Sequence, residues 1–295
     1  MKSKVKIGLY LMTSKGLSTL QSFVTDISSE HIAYIVAAQD SAVANDYYED
    51  IVALARNLGL PVYDRTQALP SATHLIAVSW RWLIKANTDQ QLIVFHDSLL
   101  PRYRGFAPLP SALINGDTCI GVTALMASEE YDRGPIIDQE VIKIDYPIKI
   151  STAIEALVPC YKTLTIKVAN SILQDKLTGR PQDEQDATYS LWRDEEDYLI
   201  DWTWDAVRIK RFIDALGFPY KGACTRLDGE TFRILDCEAL PDVIIENRTA
   251  GKVIFIQDGL PVIVCGSGLI KICQMHKEGS SESALPLPRF RLRFV

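Results

Sequence analysis

The sequence predicts an α/β protein: a doubly wound, mostly parallel sheet followed by a smaller C-terminal β-barrel-like domain. Up to about residue 177, short apolar runs alternate with amphipathic segments, a pattern typical of buried parallel strands joined by helices. After residue 223 the pattern changes to short β-rich runs separated by Asp-Gly pairs, which favour hairpin turns.

In the first part, apolar runs predict strands at residues 5–12, 31–38, 74–78, 92–95, 120–126 and 136–144. Helical spacing of apolar residues predicts helices at 17–27, 46–58, 107–115 and 151–177. Asp46, with Glu49 three residues later, has the pattern of a helix start, and Gly59 that of a stop. Pro159 lies inside the last helix and predicts either a kink or a later start.

A polar, turn-rich connector at residues 179–186 indicates a change of domain. A capped helix is expected at 205–216, followed by strands at 253–256, 262–265 and 269–273. We therefore expect three parts: an α/β domain at 1–190, a linker with a helix at 191–222, and an OB-like β domain at 223–295.

Charge and composition exclude several classes of protein. The net charge is −6 and no basic stripe is evident, which argues against nucleic acid as a partner. No apolar run approaches the roughly 18 residues of a membrane span, and the N-terminus lacks the apolar core of a signal peptide. The six cysteines are scattered, so we expect no disulfide framework and no metal site. These features predict a cytoplasmic protein without membrane contact.

His96 directly follows the predicted strand at 92–95. Ligands of α/β sheets bind beyond the carboxyl ends of the strands, which places His96 in a functional position. The loop that follows is unusually apolar at Leu99, Leu100 and Pro101, as expected for the wall of a ligand pocket. A buried structural histidine beside a packed loop is equally compatible with these residues alone.

Longer motifs favour the functional interpretation. Residues 95–108 read FHDSLLPRYRGFAP, and further matching segments are INGD at 114–117, IGVT at 120–123, YDRGPII at 131–137 and FPYKGA at 218–223. They resemble the formyltetrahydrofolate-dependent formyltransferases, which include methionyl-tRNA formyltransferase and the sugar-nucleotide N-formyltransferases. The resemblance spans nearly the whole chain. It implies a Rossmann-like catalytic domain, 10-formyltetrahydrofolate as co-substrate and no metal.

Carried over to this sequence, the resemblance implies that His96 is the catalytic histidine and Asp132 the carboxylate beside it. The chemistry asks for the same residue types. When an amine attacks the formyl carbonyl, one group must accept the amine proton and a donor must face the developing oxyanion. Histidine can serve near neutral pH, and a neighbouring carboxylate orients it. Read locally, Asp132 could equally stabilise a turn before Gly134.

The resemblance also implies a cofactor-binding surface in two segments. Its residues are Ser98, Leu99, Leu100 and Pro101 in the loop after His96, Trp82 and Leu83 after the strand at 74–78, and Asp132. One residue departs from the family pattern, because Val94 stands where the family has an asparagine that helps to hold the oxyanion. Three explanations stay open: His96 or water replaces the amide, a polar group of Ser79, Asp97 or Ser98 replaces it, or the chain binds ligands without catalysis.

Two acceptor classes fit the resemblance. The acidic charge favours a nucleotide-linked amino-sugar for surface-glycan synthesis over a tRNA, which would need a basic face. Arg104, Tyr103 and Lys15 are the expected acceptor contacts. A homodimer through the β domain is a further expectation.

Overall fold

The computed structural model describes residues 5–41 and 43–295. The chain divides into two compact units. The first contains the chain up to Leu109, Cys119–Lys143 and Ile154–Leu191, and the second contains Pro110–Thr118, Ile144–Ala153 and Trp192–Val295. Each unit is therefore built from discontinuous segments, whereas the predicted domains are contiguous; their limits at 190 and 222 stay a prediction.

The strands of the first unit are β1 (Ile7–Leu11), β2 (Ile32–Ala37), β3 (Val62–Tyr63), β4 (His74–Val78), β5 (Gln91–His96), β6 (Arg104–Gly105), β7 (Cys119–Met126), β8 (Ile136–Lys143) and β9 (Tyr189–Ser190). Seven of them form one sheet in the order β3-β2-β1-β4-β5-β7-β8. The first five run parallel, and β7 runs antiparallel to both of its neighbours, β5 and β8. The predicted mostly parallel, doubly wound sheet is confirmed.

The α-helices are α1 (Thr13–Ser22), α2 (Tyr48–Asn57), α3 (Pro108–Asn115), α4 (Ile150–Leu173) and α5 (Ala206–Leu216). A π-helical turn, Phe23–Ile27, continues α1. Asp46 lies just before α2, where its Oδ1 accepts a hydrogen bond from the Tyr48 amide at 3.0 Å. The helix α4 contains Pro159 and begins at Ile150, so the later start considered for it does not occur.

The second unit contains β10 (Ala223–Leu227), β11 (Glu230–Leu240), β12 (Val253–Gln257), β13 (Leu260–Val264) and β14 (Leu269–Lys277). They form an antiparallel sheet in the order β10-β11-β14-β13-β12. The two predicted hairpins are present, with Asp228 and Asp258 in the left-handed conformation (φ 50° and 53°) that these tight turns need.

Residues 292–295 join the two end strands of this antiparallel sheet. The Arg226 amide of β10 donates to the Val295 carbonyl at 2.6 Å, and the Val295 amide donates to the Arg226 carbonyl at 3.0 Å. At the other end of the sheet, the Val253 amide of β12 donates to the Leu292 carbonyl at 3.2 Å. Leu292 and Phe294 are buried, whereas Arg293 between them is exposed, as in a strand. This segment gives the sheet the barrel-like closure that the sequence predicted.

All six cysteines are free, and four of them, Cys160, Cys224, Cys237 and Cys265, are buried. Burial raises the pKa of each of these four thiols above its ordinary value, which suits small core residues. Within residues 5–41 and 43–295, no three or more His, Cys, Asp or Glu side chains are grouped to hold a metal ion. In that same part of the chain, no helix is both long and apolar enough to cross a membrane.

Candidate active site

The candidate site lies at the carboxyl edge of the parallel strands. Val78 of β4 pairs with Phe95 of β5, so the next residues, Ser79 and His96, are neighbours at that edge. The Thr13 hydroxyl, two residues after β1, donates to Ser79 Oγ at 3.1 Å and ties a third strand end to the same place. His96 is therefore where the sequence predicted it, with its side chain 8% exposed.

Two contacts orient the His96 ring. Its Nε2 is 2.8 Å from the Tyr103 carbonyl oxygen, which can only accept, so Nε2 carries the proton. The other nitrogen, Nδ1, faces Asp132 Oδ1 at 3.6 Å. The ring is thus held as the Nε2–H tautomer, and Nδ1 is the nitrogen left to accept a proton.

Asp132 is held from the other side. Its Oδ2 accepts a hydrogen bond from the Gly105 amide at 2.8 Å, which leaves Oδ1 directed at His96. Its backbone is left-handed (φ 56°), and its carbonyl accepts from the Gln182 side chain at 2.7 Å. The carboxylate is therefore part of a defined turn and also faces the histidine, so the two local interpretations of Asp132 are compatible.

The loop after His96 is tied to the two antiparallel strands of the sheet. Thr123 Oγ1 of β7 donates to the Ser98 carbonyl at 2.7 Å and accepts from the Leu100 amide at 3.1 Å. Gln139 Nε2 of β8 donates to the Leu100 carbonyl at 2.9 Å. Sequence reasoning missed Thr123 and Gln139, because a polar residue in a strand carries no signal that it will hold a distant loop. They keep the apolar residues Leu99, Leu100 and Pro101 in one arrangement.

The second predicted cofactor segment follows β4. Leu83 is 80% exposed, and the Arg65 guanidinium lies over the Trp82 ring at 4.7 Å from its centroid. Trp80 packs edge-on against Trp82, with centroids 5.2 Å apart. An exposed leucine beside a row of aromatic rings is a surface suited to a flat, partly apolar ligand.

Arg104 was expected to contact the acceptor, but its guanidinium is fully buried. Nε and Nη2 donate to Gln182 Oε1 at 3.0 and 2.8 Å, and both Nη atoms donate to the Glu184 carboxylate at 2.9 Å. Nη1 also lies 3.4 Å from the Tyr189 hydroxyl. All five N–H donors of the side chain are thus used inside the protein, so Arg104 supports the site structurally instead.

Lys15 and Tyr103, the other expected acceptor contacts, are also buried. Lys15 forms an ion pair with Asp97, whose second oxygen accepts from the Tyr161 hydroxyl at 2.5 Å. Burial is the largest single influence on the pKa of Asp97 and raises it. The charge and hydrogen bond of Lys15, with a smaller effect of the Tyr161 hydroxyl, outweigh burial, so the pKa of Asp97 lies below its usual range. Tyr103 acts through its carbonyl, which orients the histidine.

Val94 packs against the buried apolar residues Leu100, Leu125 and Ile136, where the resemblance led us to expect an amide. Among the substitutes considered, Asp97 is committed to its ion pair, and the Ser98 hydroxyl donates to the Arg102 carbonyl at 2.7 Å. Ser79 is the third, and it stands next to His96 at the strand edge.

The chain is similar to known proteins in both of its parts. Residues 81–157 match the formyl transferase family, and residues 193–285 match the formyl transferase C-terminal domain. A methionyl-tRNA formyltransferase of Roseiflexus sp. strain RS-1 is 30% identical over 193 residues, which are 65% of this chain and 57% of that protein. One of Magnetococcus marinus is 29% identical over 240 residues, 77% of this chain and 75% of that protein. The chain thus spans little more than half of the first relative and three quarters of the second.

The fold is also that of a solved N-formyltransferase. The N-formyltransferase of Helicobacter canadensis, in complex with folinic acid and dTDP-3-aminofucose, superposes with a TM-score of 0.69 at 16% identity, covering 92% of this chain and all of that chain. At this low identity, the superposition shows a shared fold and nothing more. With both family domains matched in order along the chain, and with the predicted motifs at the carboxyl edge of the sheet, this protein belongs to the formyl transferase family.

Proposed function

We propose that this protein transfers a formyl group from 10-formyltetrahydrofolate to the amino group of a nucleotide-linked amino-sugar in surface-glycan synthesis. The observation that carries the proposal is the pair at the sheet edge, with His96 Nδ1 3.6 Å from Asp132 Oδ1. Membership of the formyl transferase family supports the reaction type. The folinic acid and dTDP-3-aminofucose of the Helicobacter canadensis enzyme support the two substrate classes.

The residues present fit the folate. The loop residues Ser98, Leu99, Leu100 and Pro101, with Trp82 and Leu83, would hold it, because Thr123 and Gln139 keep the loop in place and Leu83 is exposed beside aromatic rings. Bound there, it supplies an electrophilic formyl carbonyl. The protein excludes water from that carbonyl with apolar side chains on the loop.

The proton transfers follow from the ring orientation. As the amine attacks, His96 Nδ1 accepts the proton that the amine loses, and the Asp132 carboxylate stabilises the imidazolium that forms. The Tyr103 carbonyl keeps Nε2 protonated throughout, so the ring does not change tautomer. His96 then returns the proton to the leaving nitrogen. With Val94 apolar, the Ser79 hydroxyl or a water molecule donates to the oxyanion.

The acceptor class rests on charge. The net charge of −6 disfavours a polyanionic acceptor such as tRNA. We also propose that the protein works in the cytoplasm, where nucleotide-sugars and folates are found, and that its β domain can support a homodimer.

The test is incubation with 10-formyltetrahydrofolate and a panel of UDP-, dTDP- and GDP-linked 3-amino and 4-amino sugars. Mass spectrometry should find one member that gains a formyl group, and His96→Asn should abolish that product. A protein that formylates methionyl-tRNA and no panel member would contradict the sugar proposal.

Methionyl-tRNA formyltransferase is the second candidate, favoured by the names of both sequence relatives. It requires tRNA binding that weakens steeply with salt, because each neutralised phosphate releases counterions. Filter binding at about 50 and 200 mM salt separates the two acceptors, since tRNA affinity should fall by about 10³-fold or more over that range if 6 or more phosphates are contacted.

Val94 motivates a third candidate, a homologue that binds folate or nucleotide without catalysis. A single-turnover assay that shows saturable folate binding but no formyl transfer to any sugar or tRNA would favour it. Product formation in one turnover would exclude it.

A further inference from the structure

We infer that Gln182 is a positioning residue for Asp132 and that the buried Arg104 orients it. The Gln182 amide donates to the carbonyl oxygens of Asp132 and Gly134 at 2.7 and 2.8 Å. Its oxygen accepts two N–H groups of Arg104 at 3.0 and 2.8 Å. Every polar hydrogen of this amide is used, and the contacts with Arg104 allow only one orientation of its nitrogen and oxygen.

The turn that carries Asp132 needs such support. Asp132 is left-handed, and the Gly134 backbone lies so close to Met126 that an added Cβ would come within 1.8 Å of the Met126 carbonyl oxygen. Tyr131, the preceding residue, is 72% exposed and gives the turn little packing. The two hydrogen bonds from Gln182 hold the carbonyls of Asp132 and Gly134 within this turn, so they help to fix the backbone from which the Asp132 carboxylate projects.

Arg104 is held in turn by Glu184. That carboxylate accepts from Arg104 and, at 2.8 Å, from Arg133 in the same turn as Asp132. The hydrogen bond from Arg104, the largest influence, and that from Arg133 outweigh desolvation and lower the pKa of Glu184 to about 2, so it stays charged at neutral pH. The buried cation, the amide and the turn form one connected network.

The consequence concerns the distance between carboxylate and imidazole. The Gly105 amide holds the Asp132 side chain, and Gln182 holds the backbone that carries it, so without the two Gln182 donors that backbone can shift and move the carboxylate relative to the imidazole. A shift of about 1 Å in a reacting group can cost about 10²-fold in rate, and outer-shell partners of functional groups typically contribute 10- to 100-fold. This inference rests on the proposed function, because it takes Asp132 as the partner of His96.

The test compares Gln182→Met and Gln182→Glu with the same changes at Gln185. Both Gln182 variants lose the donors to the turn, and Gln182→Glu keeps an oxygen for Arg104, which protects the fold. Gln185 is exposed and only three residues away, so it is a matched control. Both Gln182 variants should lower kcat by about 10- to 100-fold and leave the KM for each substrate within about twofold, while the Gln185 variants match the wild type.

A second readout needs no acceptor. The chain has four histidines, so long-range ¹H–¹⁵N spectra resolve each imidazole, and the signal lost in His96→Asn identifies His96. The His96 Nδ1 resonance should move in both Gln182 variants and in Asp132→Asn, and stay in place in the Gln185 variants. An unmoved resonance in both folded Gln182 variants overturns the inference. If the wild type formylates no acceptor, the proposed function fails, and this comparison still decides the role of Gln182.

Discussion

Replacing Asp132 by asparagine removes its charge and preserves its shape. An asparagine oxygen can still accept the Gly105 amide, now at 2.8 Å, and asparagine tolerates the left-handed backbone at φ 56°. The Gln182 contact is to the backbone carbonyl and persists. With that oxygen on Gly105, the amide NH2 takes the place of Oδ1 and faces His96 Nδ1, so the change removes the carboxylate charge and puts a donor in its place.

The magnitude follows from the 3.6 Å between Asp132 Oδ1 and His96 Nδ1. With an effective dielectric constant of about 20, a charge pair at that distance is worth roughly 4–5 kcal/mol when the imidazole is protonated. The Asp132 side chain is 14% exposed, so solvent reduces this value somewhat. General acid–base catalysis contributes about 10²- to 10⁴-fold, and we expect kcat to fall by about 10²- to 10³-fold in Asp132→Asn.

The assay is steady-state formyl transfer to the acceptor identified by the panel, measured from about pH 6 to pH 9, a range around the ordinary histidine pKa. Asp258→Asn is the matched control, because Asp258 is also left-handed (φ 53°), precedes a glycine and is exposed in a hairpin. It should leave kcat unchanged. A kcat for Asp132→Asn within about threefold of the wild type across this pH range would refute the electrostatic role, since general acid–base catalysis is worth far more.

Five further variants test other parts of the site. Val94→Asn should raise kcat, by up to about 10²-fold if an oxyanion donor is missing. It should also lower the free energy of unfolding by about 1–3 kcal/mol, because it brings an amide into an apolar cluster. Kinetics and urea unfolding measure the two effects, and an unchanged kcat in the folded variant would mean that another group donates to the oxyanion. Lys15→Met should destabilise the protein by about 3–5 kcal/mol, since it leaves the buried Asp97 charge without its partner. The pKa of Asp97 is lower in the folded protein than in the unfolded chain, where it is about 3.9. The ionised carboxylate therefore stabilises the fold fully above the unfolded-state pKa, and this stabilisation is lost as the pH falls through the folded-state pKa. Thermal melts of Asp97→Asn should lack this loss of stability in acid. Phe106→Ala and Tyr131→Ala should each raise the acceptor KM and leave the folate KM unchanged, because these rings, 51% and 72% exposed with centroids 6.3 Å apart, belong to the residues that adjoin Gly105 and Asp132 in the chain. Equal KM values in variants and wild type would exclude them from acceptor binding.

The elements that position the site could be predicted because their signals are local. The strand predicted at 74–78 coincides with β4, and the one at 92–95 lies within β5 and ends one residue before it. Buried parallel strands are continuous apolar runs, which are visible in a single sequence. Once β4 and β5 were placed, the rule for α/β sheets put His96 at the functional edge.

The supporting residues could not be predicted in the same way. Gln182 lies 50 residues from Asp132 along the chain and looks like any polar residue in a connector. Its role exists only after the connector folds back onto the turn between β7 and β8. Such a contact has no periodicity and no characteristic spacing, so pattern reasoning cannot find it.

The buried cations show a different reason for error. Charged side chains are almost never fully buried unless they are paired, so exposure was the natural expectation for Lys15 and Arg104. The acids that pair with them, Asp97 and Glu184, are 82 and 80 residues away along the chain. Asp97 directly follows His96 at the end of a buried strand, and a carboxylate at that position was the available signal that a positively charged partner lies nearby.

These two pairs bear on acceptor recognition. Because Lys15 and Arg104 are buried in ion pairs inside the protein, neither can bind the phosphates of a nucleotide-linked acceptor. Phosphates bind through charge-assisted hydrogen bonds, so the acceptor needs other cations that stay accessible. Arg81 follows β4 at the same strand edge as Ser79; it forms an ion pair with the buried Asp40 at 2.5 Å, and its side chain is still 48% exposed. If a nucleotide-sugar is the acceptor, its diphosphate should lie on the β4 side of His96, and its amino-sugar should face the exposed rings beside Asp132.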